Sequence, residues 1–322
     1  MSKIVRNSVL LTMLTVIVLF ISACGNEDTP ENNDTQNNGD NNTSPEEVTL
    51  ESEMGKVTIP TTSERVLAPY HEDALLALGV TPVAKWAIGQ MVQDYLEKDL
   101  SDVPKIEWNM PMEQVLSHEP DLIILENGLD SYEGTYDDYN KIADTYVMTA
   151  ETTANWKKQI EVFGKLLGKE DEAEKVLSDY DEKVADAKKQ ILEALGDETV
   201  AAIWVAGDQF YIFEENRHSA EVFYSELGMN VPELVKNLGE ADVQWNPISI
   251  EKLSELDADH VFLLALEGEQ GLETLENSSV WKSTPAFKND NIYILNDPSN
   301  WTNKGIIASK KTIDDILSVI VE

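Results

Sequence analysis

The chain has 322 residues, with 60 Asp and Glu against 24 Lys and Arg and a formal net charge of −36. Such a surface repels polyanions, which excludes nucleic acid and anionic lipid headgroups as partners. One cysteine excludes an internal disulfide framework, and no Gly-x-Ser-x-Gly elbow, P-loop, His-Glu-x-x-His or Gly-x-Gly-x-x-Gly points to an enzyme.

At the start, Lys3 and Arg6 precede an uncharged apolar run over residues 9–21 and then Ser22-Ala23-Cys24. A basic start, an apolar run of this length and small residues at the cut make an export signal. The run is too short to remain in a bilayer as a spanning helix. Ile21-Ser22-Ala23-Cys24 resembles the bacterial lipobox. That implies a signal peptide of residues 1–23 and a mature N-terminus at Cys24 carrying lipid, palmitate among its chains, on the outer face of a cytoplasmic membrane. Lipidation accounts for the lone cysteine, and more than one acyl chain meets the requirement for stable anchoring. Residues 24–47 are rich in Asn, Asp, Glu, Thr and Pro with no large apolar side chain before Val48. They read as a flexible acidic tether, roughly 23 residues that hold the body some tens of ångströms from the lipid.

Folded structure is expected from residue 48. Residues 48–51 and 55–60 alternate around a glycine turn and predict a hairpin. A strand at 65–68, a helix over 71–78 stopped by Gly79, a strand at 82–87, a helix over 112–117 and a buried strand at 121–125 then alternate. This βα pattern predicts a parallel sheet covered by helices, an N-terminal lobe of residues 48–152. Residues 153–196 read as a helical link. Within it, Ala173, Val176, Leu177, Tyr180, Val184, Ala187, Ile191 and Leu195 form one apolar stripe on a helix over 170–195, roughly 39 Å long. The pattern restarts in a C-terminal lobe, 197–322, with strands at 199–205, 261–264 and 292–295, a helix over 219–227 and a terminal helix over 302–321. The fold class is therefore α/β: two βα lobes with mostly parallel sheets, joined by one long rigid helix, with a ligand cleft between them. Residues 112–125 can be laid on 250–264 with one gap, each a short helix opened by a glutamate and then an Asp-led apolar strand.

Several short pieces, in this order behind a lipobox and tether, resemble the siderophore-binding lipoproteins of ABC importers, a class with haem- and cobalamin-binding members. They are Val57-Thr58-Ile59-Pro60, Glu72-Asp73-Ala74-Leu75-Leu76-Ala77-Leu78-Gly79, Glu119-Pro120-Asp121-Leu122-Ile123-Ile124 and Glu221-Val222-Phe223-Tyr224-Ser225-Glu226-Leu227-Gly228. The nearer resemblance is to the ferric-hydroxamate binders of Gram-positive bacteria. It implies a monomeric receptor for a ferric siderophore, serving an ABC permease dimer and its ATPase, with no cofactor and with iron held by the siderophore alone. It also implies that a glutamate on each lobe, here Glu113 and Glu251, docks onto permease arginines, a grip that bidentate pairing favours. A dipole-stabilised acid at a helix start is the ordinary alternative for either one.

A fully coordinated ferric chelate needs apolar walls and a few donors aimed at the chelating oxygens. Tyr70, Trp86, Trp108 and Trp301 lie in segments where cleft loops belong. The resemblance puts an arginine ahead of the 219–227 helix. Arg217 takes that place, or His218 if the alignment slips by one. His71 opens the first cleft helix; Lys85 and Lys304 are weaker donors. Trp156, Trp204 and Trp281 are expected in the core, and His118 and His260 are expected to be structural. Within the class a haem binder would take His71 or His218 as an axial ligand, and a cobalamin binder would use aromatic walls without Arg217.

Overall fold

The computed structural model describes residues 46–89, 93–242 and 244–321. The export signal, Cys24 and residues 24–45 of the tether lie outside the described residues. All the described residues fall in one unit, Ser44–Glu322.

The first lobe opens with the hairpin of β1 (Glu47–Ser52) and β2 (Gly55–Pro60), turned at Gly55 with φ 93°. Then come β3 (Val66–Leu67), α1 (Glu72–Ala77), β4 (Lys85–Ala87), α2 (Glu97–Leu100), β5 (Lys105–Glu107), α3 (Met112–Ser117), β6 (Leu122–Leu125), α4 (Tyr136–Tyr139) and β7 (Asp144–Val147). Strands β3, β6 and β7 form one parallel sheet in that order, and β4 pairs in parallel with β5. Leu122 and Ile124 face the main core while Ile123 and Leu125 face a second one. That two-sided burial is why β6 is apolar throughout.

Helices α5 (Ala150–Ala154), α6 (Trp156–Leu166) and α7 (Glu170–Leu195) follow. The helical link expected from residue 153 is broken near its start because the Asn155 side chain accepts from Lys158 N and caps α6. Along α7, Ala173, Tyr180, Ala187, Ile191 and Leu195 are buried, and it ends at Gly196 with φ 58°.

The second lobe holds β8 (Val200–Ala206), β9 (Gln209–Ile212), a six-residue π-helix (Glu221–Glu226), α8 (Glu233–Lys236), α9 (Ile250–Leu253), β10 (His260–Leu264), α10 (Gln270–Asn277), α11 (Pro285–Lys288), β11 (Ile292–Leu295) and α12 (Ile306–Ile320). Its sheet runs β11-β10-β8-β9, parallel except for β9. The main core continues from the hairpin through α6, α7 and α12 into this sheet. The terminal helix starts at Ile306, later than the periodicity suggests, because its cap comes from the first lobe. Asp73 on α1 accepts from Ile307 N and Ala308 N, both at 3.0 Å, and from the Tyr95 hydroxyl. No helix among the described residues is long and apolar enough to cross a membrane.

Candidate functional site

The first wall is built where strands of the first lobe end. Tyr70 follows β3 with φ 72°, a left-handed conformation that a bulky residue adopts only when its surroundings impose it. Trp86 lies on β4 and Trp108 follows β5, its main chain tied to Ala87 O at 2.8 Å. Together with Pro69, Ile88, Glu126, Ser131 and Tyr132, these three aromatics line a cavity of ≈ 200 Å³. Tyr70 and Trp86 meet edge to face at 5.2 Å. Beneath them His71 Nε2 lies 3.0 Å from Glu126 Oε1, and its Nδ1 lies 3.1 Å from Gln159 Oε1. Burial pushes the Glu126 carboxyl up, but the hydrogen bond and charge of His71 outweigh it and hold Glu126 below the usual range. Burial pushes the Tyr70 phenol up to about 12, with Glu126 and Glu72 adding to the effect.

The second wall centres on Trp245. Trp204 and Tyr211, cross-strand partners on β8 and β9, lie 5.2 and 6.0 Å from its ring, and Phe213 lies 4.9 Å away. His218 stacks on Trp245 at 5.5 Å with φ 43°, a second left-handed position at the site. Burial, then the charges of Lys304 and Arg217, lower the His218 pKa to about 4, so the imidazole is neutral at neutral pH. His218 Nδ1 and Ser219 Oγ are buried without a hydrogen-bond partner. They line a space of ≈ 30 Å³ with Trp156, Asn303 and Lys304, enough for an ordered water. Trp156 and Lys304 also line a narrow crevice with Tyr70 and His71, so they link the two walls.

The positions expected from sequence divide between these walls and the core. Tyr70, Trp86 and Trp108 come together, with Trp108 44 % exposed. His71 stands behind them, 6 % exposed and held by two side chains. Trp301 corrects its expectation: it is fully buried against Phe223 and Phe262, its indole N–H donating to Asp315 at 2.9 Å. The Arg217 guanidinium, expected to reach the ligand, is turned inward. Its Nε and Nη2 grip Glu214 at 2.8 and 3.0 Å, and Nη1 and Nη2 donate to the carbonyls of Asp242 and Gln244 at 2.8 and 3.2 Å. Its carbon stands 4.6 Å from the Trp245 ring centre. Lys85 is buried away from the cavity, on Glu97 and the Leu100 carbonyl. Lys304 pairs with Glu221 at 3.2 Å. Of the tryptophans assigned to the core, Trp281 is there, 2 % exposed, whereas Trp156 and Trp204 are half-buried at the walls. Sequence reasoning missed Trp245, Tyr211 and Tyr132. For Tyr211, alternation opposite Trp204 was the available signal; Trp245 lies in a loop with no periodicity to reveal it. No group of three or more His, Cys, Asp or Glu among the described residues is arranged to hold a metal ion.

Glu113 and Glu251 are both exposed in the first turn of a short helix, α3 and α9. Backbone N–H and the Ser249 hydroxyl hold the Glu251 carboxyl below the usual range. The helices lead into equivalent strands. Asp121 ahead of β6 accepts from Glu64 N and Arg65 N, and Asp259 ahead of β10 accepts from Thr199 N, each tying down the start of the neighbouring strand.

The sequence family described as periplasmic binding protein matches residues 66–298. The iron(3+)-hydroxamate-binding protein YxeB of Bacillus subtilis is 27% identical, the match covering 98% of this chain and 97% of that protein. The iron(3+)-hydroxamate-binding protein FhuD of the same organism is 28% identical over 88% of each chain. Among solved structures, a FhuD fold-family component of a Fep/Fec-like ferrichrome ABC transporter from B. subtilis superposes with a TM-score of 0.68 at 26% identity. That match covers 85% of this chain and 100% of the other.

Proposed function

The chain belongs to the periplasmic binding protein family, and from that premise we propose that it captures a ferric hydroxamate siderophore outside the cytoplasmic membrane and hands it to an ABC permease. Lipid on Cys24 holds it to the membrane. It carries out no bond chemistry, and the iron travels as cargo inside its chelate.

The carrying observation is the pairing of two aromatic walls with cations already spoken for. Tyr70, Trp86, Trp108 and Tyr132 form one wall, and Trp204, Tyr211 and Trp245 form the other. Arg217 meets Glu214, Lys304 meets Glu221 and Lys85 meets Glu97. Three hydroxamates cancel the charge of ferric iron, so the chelate shell is neutral and partly apolar, and flat rings suit it. A ferric tris-catecholate stays an anion and calls for unpaired cations. Arg217 acts as a positioning residue: it fixes Trp245 from behind, so the wall is formed before the ligand arrives and affinity is not spent on ordering it. YxeB and FhuD, hydroxamate binders by name, support the same reading.

Tryptophan fluorescence tests it, titrated with ferrioxamine, ferrichrome, a ferric catecholate, haem and cobalamin. The ferric hydroxamates quench most strongly and bind most tightly. Trp245→Ala and Arg217→Ala each weaken that binding about tenfold or more. Tighter binding of the catecholate, haem or cobalamin overturns the reading.

A further inference from the structure

We propose that the first-lobe cavity formed by Tyr70, Trp86, Trp108, Tyr132 and Glu126 is a cation-binding cage, which takes an alkylammonium arm projecting from the ferric chelate. This rests on the hydroxamate reading and adds the charge of the ligand to it. The cavity, ≈ 200 Å³, is the size of a short alkyl chain with its head group and is too small for a whole chelate. Four aromatic rings line it and one carboxylate, and the electron-rich faces of such rings attract ammonium groups. The Glu126 side chain is 35 % exposed into the space, and His71 approaches only its Oε1. The two phenols of the cage register that negative field. After burial, Glu126 is the largest influence raising the pKa of each. Lys85, beside Trp86 on β4, turns to Glu97 and does not line the space. A cation entering here meets rings and a carboxylate whose second oxygen His71 leaves open; an anion meets the same carboxylate.

Ferrioxamine B, which ends in a primary ammonium, and its N-acetyl derivative, which has the same iron shell and no charge, separate the possibilities. The intact protein binds ferrioxamine B about tenfold or more tighter than the acetylated chelate. Glu126→Gln and, separately, Trp108→Ala reduce that ratio below about threefold. Trp108 is the most exposed ring of the cage, so its loss spares the fold. General attraction by the acidic surface would persist in both variants and be screened by salt, so an unchanged ratio in the variants overturns the cage. Equal affinity of the intact protein for the two chelates overturns the cage and leaves the hydroxamate reading standing. Binding of neither chelate overturns the cage, and if ferrichrome also fails to bind, the hydroxamate reading falls with it.

Discussion

The carboxyl of Glu72 lies fully buried in the first turn of α1, with Oε1 accepting from Trp86 N at 2.6 Å and Oε2 without a partner. Burial pushes its pKa up to about 7, against the opposing pull of the Trp86 N–H. A carboxyl whose folded pKa exceeds its unfolded value binds more protons in the folded state over the interval between them. Stability from this group is therefore present at acid pH, falls as pH rises from about 4.5 to about 7, and is flat above. The cost of ionising it in place is on the order of 3 kcal/mol. Glu72→Gln removes that decline and raises the melting temperature at pH 8 relative to the parent chain. Thermal unfolding followed by circular dichroism from pH 5 to 8 measures it, and parallel curves for the two proteins would refute the assignment. The same residue explains part of the first wall. By holding the Trp86 main chain, it sets one side of the cage, a tie across 14 positions that no local pattern reveals. Arg217 shows the complementary difficulty. An arginine three residues after a glutamate can turn to it or to a ligand, and only the carbonyls of Asp242 and Gln244 decide for Glu214.

At the scale of elements, what was legible depended on length and burial. Strands β6 and β10 announce themselves as apolar runs because both faces are covered, and α7 announces itself by a stripe repeated over 26 residues. Strands β5, β7 and β9 have three or four residues each, too few for a period to emerge. The start of α12 was illegible for another reason. Gly305 supplies no capping side chain, and Asp73, from the other end of the chain, takes up the first free N–H groups. That joint fastens α1 to α12 and limits how far the lobes can hinge. It also requires glycine at residue 305, where a Cβ would overlap the Asp73 carboxyl. Gly305→Ala therefore lowers unfolding free energy by about 2–4 kcal/mol, from strain and from loosened hydrogen bonds. Urea denaturation measures the loss, and a change under about 0.5 kcal/mol would show that the joint is slack.

The whole molecule repeats one βα unit in its two lobes, and the repeat extends to hydrogen bonds that sequence alignment cannot display. Asp121 and Asp259 perform the same service for β3 and β8 at the start of each sheet. Glu113 and Glu251 occupy corresponding first turns, both exposed, and neither forms an ion pair with a described residue. An exposed carboxylate without an ion pair among the described residues, at matching places on two lobes, suits a partner that is itself two-fold, such as a permease dimer presenting an arginine from each half. The long α7 and the Asp73 joint tie the two lobes together, so a partner that engaged both carboxylates would meet them on connected lobes rather than across a free hinge. Charge reversal at both places, Glu113→Arg with Glu251→Arg, leaves ferric hydroxamate affinity within about twofold, because neither residue lines either aromatic wall. It abolishes uptake of radiolabelled ferric siderophore by cells that depend on this protein, through like-charge repulsion at two contacts. Either single reversal gives an intermediate uptake. Normal uptake by the double variant would remove the permease-docking role from this pair, and lost ligand affinity in the same variant would show that the exchange had disturbed the fold.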